Sequence, residues 1–532
     1  MEMKKIKIDF KQLIYYIYML LLSSTIVIGN KINVYDEPHF KQVDLIDMVN
    51  IIILMTIFSF CGKALLSYID CNQIKIRVVK TSKRWWFISS GLLFILWGAW
   101  LFVYYPGMIS PDSVHSLLQA ENLDLLTNHT PIMYTLLITI FVRAGWFVGD
   151  RNFGIFLFSI VQTVIMAISL GYSVYWVKKH FLCKFLPIIV LVYFGLNPII
   201  AIYSITMWKD ILFSAWILLS CLVLIDIGIS EGKELEDKKG IVKLITIFIL
   251  LSFGRNNGVY IVTFVWLGLL LLFKNLRKRI IIAGGSVIFA IILIQGTGYK
   301  KLGILNSGFA ESVGIPLQQI SYSIKYDGPL DEKDQQFIEQ ILPIEVIKRE
   351  YTPLSADKIK FNAQFNTSFF EENKGEFVRV YFNELPKHFK AYTKAWLLST
   401  SGFWHIEPLE WACQFGVMDN NEMGLYDRNY INEYFNLDLR PSIQRYVINL
   451  HQKCPIYNVG LLVWIIFFYG MASVIRQQLW KVLFILPLFG CWLTLMVATP
   501  VSSQFRYVYS FHLILPIIII LLFAKRSVKS VS

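Results

Sequence analysis

The sequence predicts an all-α polytopic membrane protein, with about twelve transmembrane helices and a mixed, mainly helical extracytoplasmic domain. Three observations predict it. Of 532 residues, 55% are hydrophobic and only 16% charged, with a mean hydropathy of +0.54; soluble domains carry about a quarter charged residues. Apolar runs of span length recur along the chain, separated by short links rich in Lys and Arg. One long polar stretch, 296–455, interrupts them. The formal charge of +13 gathers in those links. It therefore marks cytoplasmic loops and does not point to nucleic acid.

Runs at 13–29 and 48–67 are the first two spans. Lys4, Lys5, Lys7 and Lys11 precede them and no small-residue cleavage site follows, so the start reads as an uncleaved anchor with its N-terminus inside. The link 68–84, with Lys75, Arg77, Lys80, Lys83 and Arg84, lies inside, and the run 86–105 exits. The apolar stretch 131–148 starts at Pro131 and is interrupted by Arg143 and Gly145. If it crossed, the later Lys178 and Lys179 would fall outside, against the charge rule. It is read as a helix at the outer interface, and 153–177 as the span. Runs 185–204 and 211–228 follow. Runs 241–254 and 258–273 meet at Gly254-Arg255-Asn256-Asn257-Gly258, and 279–295 exits. Spans 456–475, 481–499 and 509–524 complete the set, with both termini cytoplasmic. The chain thus divides into 1–84, two spans and a cytoplasmic link; 85–295, a transmembrane module with its first outer loop at 106–152; 296–455, the outer domain; and 456–532, the last helices. Seven Cys are scattered without CxxC spacing, and Cys413 and Cys454 are open to pairing outside.

Ionisable groups at span ends are costly beside lipid, at about 2.5–3.5 kcal/mol each on insertion scales, and so are candidates for function. Five sets share the outer face on this topology: Asp112 with His115 and Gln119; Asn128-His129; Lys209-Asp210; Arg255-Asn256-Asn257; and Gln504 with Arg506-Tyr507. Pro106-Gly107 ends the incoming helix, and Ser110 or Asp112 can cap a new one. Each set also has a plainer reading. Asp112 can be only a cap, Lys209-Asp210 a local ion pair, Arg255 and Arg506 headgroup contacts, and His129 part of a turn. For Gln318, Gln319 and Trp404, core packing is the plainer role. Taken together, the sets suit transfer of a sugar from a lipid phosphate to a hydroxyl. A carboxylate takes the acceptor proton, the role given to Asp112. Fixed cations hold the departing phosphate, the role given to Arg255, Arg506 and Lys209. His115, Gln119, His129, Asp210, Asn256, Asn257 and Tyr507 are candidate substrate contacts.

The acid in the first outer loop, followed by the His129-Thr130-Pro131 segment, resembles the GT-C superfamily of multi-pass glycosyltransferases, which includes protein O-mannosyltransferases and aminoarabinose transferases. YPGMISPDSVH, NHTPIMYTLL, FGRNNGVY, SVGIPLQQI and QFRYVYSFHLILP more closely resemble a bacterial membrane family of Gram-positive surface-polysaccharide gene clusters. The resemblance implies a GT-C-like membrane glycosyltransferase of the cell membrane, with its active site extracytoplasmic. Its donor would be a polyprenyl-phosphate-linked sugar and its acceptor a cell-envelope glycan, lipid or protein. Asp112 carries over as the base. One acid and a single Pro131 stand where the superfamily often has paired acids and a double proline, with Asp124 the candidate second acid. Some members use a divalent metal (Mg or Mn); no ligand set for one is evident here. A transporter or flippase, or a polymerase or ligase, of lipid-linked surface polysaccharide is the alternative. A flippase should carry mid-span charges and a pseudo-repeat, and the sequence has neither.

Overall fold

The computed structural model describes residues 9–526 except 34–38, 306, 407–414, 420, 422, 500 and 503; Cys413 lies outside the described residues. The chain is an all-α membrane protein. Among the described residues, eight helices are long and apolar enough to cross a membrane, and a ninth candidate is a bent pair.

The first twelve helices set the frame: α1 (Phe10–Gly29), α2 (Leu45–Cys71), α3 (Arg84–Gly98), α4 (Pro111–Glu121), α5 (Ile132–Val148), α6 (Arg151–His180), α7 (Phe185–Leu196), α8 (Pro198–Ser204), α9 (Lys209–Ile229), α10 (Lys238–Gly254), α11 (Gly258–Leu272) and α12 (Arg277–Ile291). Three more close the bundle: α13 (Val459–Ile475), α14 (Leu479–Ala498) and α15 (Tyr509–Phe523). Helix α9 is the hub, packing against α6, α10, α14 and α15. Helix α3 lies along α6, and the α1–α2 pair leans on α13 through α1.

The run 185–204, expected as one span, bends by 63° between α7 and α8. Pro198 cannot donate to the preceding turn. Asn197 restarts the helix, its Oδ1 accepting from the backbone N–H groups of Ile199 and Ile200 at 3.0 and 3.3 Å. Helices α5, α11 and α13 are apolar but shorter than a standard span.

Loop contacts sort the helix ends into two sets. At one end Ile74–Ile76 pairs in parallel with Ala524–Arg526. Arg77 and Val79 donate to the carbonyls of His180 and Lys179. Arg476 meets Asp70, and Arg526 meets Glu231, each at 2.8 Å. The basic links therefore converge on this basic end. At the other end the stretch 105–109 runs between two neighbours, bridging Arg428, Thr206 and Val417. Both ends of α5 belong here. Asn128, just before it, donates to Leu305, and Asn152, just after it, donates to the Tyr426 carbonyl at 2.6 Å. Helix α5 packs on the start of α6 so closely that a Cβ at Gly154 would sit 2.5 Å from the Phe141 carbonyl oxygen.

Residues between 309 and 400 build a second core at the same end. Helices Gly314–Tyr326, Glu332–Ile341, Lys374–Glu384 and Phe389–Thr400 enclose Leu317, Ile320, Phe337, Phe370, Phe377 and Tyr392.

Candidate functional site

Asp112 reaches the site because its helix is tied to the start of α9. Gly107 has a φ of +139°, and a Cβ there would meet the Ser159 hydroxyl and the Ile205 carbonyl, so only glycine passes. The chain can then exchange backbone hydrogen bonds between Met108 and residues 205–207, each 3.0 Å long. Ser110 caps α4, its N–H donating to Ser113 Oγ at 3.0 Å, and Ser113 Oγ donates to the Met207 carbonyl at 2.7 Å. Pro111 fills the first helical position, where no N–H is needed. Asp112 therefore does not serve as the cap, and its carboxylate is free for other partners.

That partner is Arg506. Its Nη1 donates to Asp112 Oδ2, joining positions 394 residues apart. The Arg506 guanidinium lies over Trp208 and Tyr507, at 5.0 and 5.1 Å from the ring centres. Trp208 in turn donates to Ser110 Oγ at 2.5 Å. The Asp112 side chain keeps 50% of its surface exposed while Arg506 keeps 14%; a substrate can reach the acid from outside. Burial pushes the Asp112 carboxyl up. Arg506, Lys209 and His129 more than offset this, and it ends below the usual carboxylate range. It is ionised at neutral pH.

Around this pair stand the other predicted groups. Lys209, at the first position of α9, donates to the His129 carbonyl at 3.4 Å. Next to it Asp210 is 2% exposed and turns away, to Arg255 at 3.1 Å. The local Lys209–Asp210 pair considered from sequence is thus replaced by a pair between α9 and the turn that joins α10 to α11. Arg255 also lies 4.8 Å from the Tyr507 ring centre, so Tyr507 has a guanidinium on Arg255 and another on Arg506. His115 and His129 meet edge to face at 5.3 Å, and Gln119 bonds His115 Nε2 at 2.9 Å and Thr127 Oγ1 at 3.0 Å. Burial and the Lys209 ammonium hold both histidines below their ordinary pKa. Asn256 donates to the Asn128 carbonyl at 2.7 Å. Asn257 points elsewhere, donating to Thr494 on α14. Asp124 lies exposed on the turn Leu123–Leu125.

Sequence reasoning missed two residues here. Trp208 is the shelf under Arg506. Glu311, from the second core, faces His129 Nδ1 at 4.0 Å and accepts from Lys360 Nζ at 2.6 Å. Trp208 directly precedes Lys209 and Glu311 directly precedes SVGIPLQQI, but neither has a partner close by in sequence. Buried polar atoms without a hydrogen-bond partner among the described residues gather at this site too: Asn128 Oδ1, Tyr134 Oη and Arg506 Nε. Such atoms are rare in folded proteins and call for a water or a ligand group.

Residues 114–532 match a family described as "Family of unknown function (DUF6020)". The chain belongs to that family. No curated protein and no solved structure matches it. The DUF6020 match begins inside α4, two residues after Asp112, and takes in every other site residue named above that lies beyond Val114.

Proposed function

We propose that this DUF6020 protein is a GT-C-type membrane glycosyltransferase. It would move a sugar from a polyprenyl-phosphate-linked donor to a cell-envelope glycan, lipid or protein on the outer face of the cytoplasmic membrane. The observation that carries the reading is the exposed Asp112 carboxylate held beside Arg506 and Lys209. An acid for the acceptor and cations for a phosphate come from separate helices to one place.

On this reading the basic end of the bundle is cytoplasmic, by the positive-inside rule, and so are both termini. Counting α10, α11 and α13 with the longer helices gives the twelve crossings of the GT-C-like arrangement, with α5 at the outer interface. In the reaction the acceptor oxygen forms a bond to the anomeric carbon as the bond from that carbon to the phosphate oxygen breaks. Asp112 takes the acceptor proton. The electron pair leaves with the polyprenyl phosphate, whose growing charge Arg506 and Lys209 meet. Donor arrival transfers Arg506 from carboxylate to phosphate, and the carboxylate regains basicity as it loses its counter-ion. Arg255, committed to Asp210, holds Tyr507 and the floor of the site. The groups beside Asp112 are cationic, Asp210 is taken by Arg255 and Asp124 lies exposed on its turn, which does not fit a resident divalent metal; no step runs through one.

The test is direct. The protein in lipid nanodiscs is incubated with polyprenyl-phosphate-linked sugars and an envelope-glycan acceptor extract, and free polyprenyl phosphate is measured. Release that depends on acceptor supports the reading. Movement of intact lipid-linked sugar between leaflets, with no release, would make the protein a flippase.

A further inference from the structure

Residues 426–446 include the strand-like pairing of Arg428 with Tyr105. Their backbone and side chains are fastened to the end of one span. Arg428 exchanges backbone hydrogen bonds with Tyr105, at 3.0 and 3.2 Å. Arg440 Nε donates to the Val103 carbonyl at 2.9 Å, and its Nη1 to Asp427 at 2.6 Å. The span that stops at Phe102 has 19 residues. At 1.5 Å per residue it is about 28 Å long, close to the roughly 30 Å of a hydrocarbon core. Whatever is bonded to residues 103 and 105 therefore sits where hydrocarbon gives way to headgroups.

At that level the segment turns large side chains outward. Tyr434 is 77% and Phe435 73% exposed, and Tyr426 and Tyr446 are also exposed. Tyr430 and Tyr434 stack, and Arg428 lies over Tyr430 at 4.8 Å. Phe102, at the end of the span, is exposed as well. Arg428 is held by Glu433 and Arg440 by Asp427, so the outward groups are the rings, and aromatic rings settle at a membrane–water boundary, among the glycerol groups.

We infer that residues 426–446 are a membrane-interface anchor, with Tyr434 and Phe435 embedded in the phospholipid headgroup region of the leaflet at the site end. The same segment is bonded to residues 103–105, only a few positions before Asp112, so lipid contact fixes the depth of the site. The inference rests on the height and exposure of the segment and is independent of the reaction proposed above.

The test places the photo-crosslinking residue p-benzoylphenylalanine at Tyr434, at Phe435 and, as a control, at the exposed Gln336 of helix Glu332–Ile341. Each full-length protein is reconstituted in vesicles of phosphatidylethanolamine and phosphatidylglycerol, irradiated, and read by intact-protein mass spectrometry. The expected result is a phospholipid adduct at Tyr434 or Phe435, at least tenfold above Gln336. Adduct levels at both positions equal to the control would overturn the inference. Each position decides independently, so poor folding of one variant leaves the other to settle the matter.

Discussion

Replacing Asp112 by Asn tests the chemistry most sharply, because it removes one charge and almost no volume. Ser110, Ser113 and Pro111 build the start of α4 without the Asp112 side chain. The pair it forms with Arg506 has a half-exposed acid, and such pairs contribute about 0–1 kcal/mol to folding. Asp112→Asn should therefore leave the thermal transition nearly unchanged. Its effect falls on turnover: loss of a general base costs about 10²–10⁴ in rate, and we expect kcat near the middle of that range, roughly a thousandfold down. Donor binding should hold or tighten, because Arg506 no longer has a carboxylate competing with the phosphate. The assay is single-turnover release of polyprenyl phosphate beside equilibrium binding of a labelled donor. A kcat within threefold of the parent refutes the role of Asp112. An equal fall in binding and turnover refutes it too, since that pattern belongs to a structural or donor-binding residue.

Other expectations follow from the same geometry. Arg506→Gln should weaken donor binding about 10–100-fold, as loss of a charge-assisted contact does, measured by the same binding assay. It should also move the acid limb of kcat/KM upward. A carboxylate held low is ionised at every pH above its own pKa, so its base form is lost only on the acid side. Removing Arg506, a main cause of the lowering, brings that loss to higher pH. Asp210→Ala strands Arg255 in a buried place and should destabilise the fold by about 3–5 kcal/mol, read by thermal unfolding in nanodiscs; the double change with Arg255→Leu should recover part of it. Gly154→Ala puts a Cβ against the Phe141 carbonyl, 2.5 Å away. Parting α5 from α6 should cost about 1–3 kcal/mol and lower turnover, because α5 carries the His129 loop.

What the sequence made legible follows from which forces act locally. Lys and Arg in short links report side without any knowledge of packing, and the basic links do share one end of the bundle. Span-end charges report cost, and of the five sets all but Asn257 and Gln504 converge with Asp112. The run 185–204 was read as one span, and the bend at Asn197-Pro198 follows from the proline inside it. The stretch 296–455 was expected to be mixed and mainly helical, and between 314 and 400 the chain runs as short helices around their own core. Partner choice was illegible. Asp210 next to Lys209 looks like a local pair, yet successive helical positions point apart, and Asp210 finds Arg255 on the neighbouring hairpin. Glu311 was hidden for the same reason, since its neighbour His129 is fixed by tertiary packing.

The placing of the cations has a further physical logic. The helices most enclosed by protein are α9 and the segment Phe505–Phe523, each with 83% of its apolar window buried. Lys209 starts the first and Arg506 the second. A charge fixed at the end of an enclosed helix cannot relax into lipid, and it adds to the partial positive charge of the helix N-terminus. Neighbouring aromatic rings of Trp208 and Tyr507 shield it from water and leave Nε of Arg506 without a partner. Such a group gains more from meeting an incoming anion than a solvated arginine would, because no hydration shell has to be removed first. Asp112 neutralises it in the resting protein. A phosphate that displaces Asp112 thus binds where the charge was already desolvated, and the displaced carboxylate is left exposed at the place where an acceptor hydroxyl would arrive.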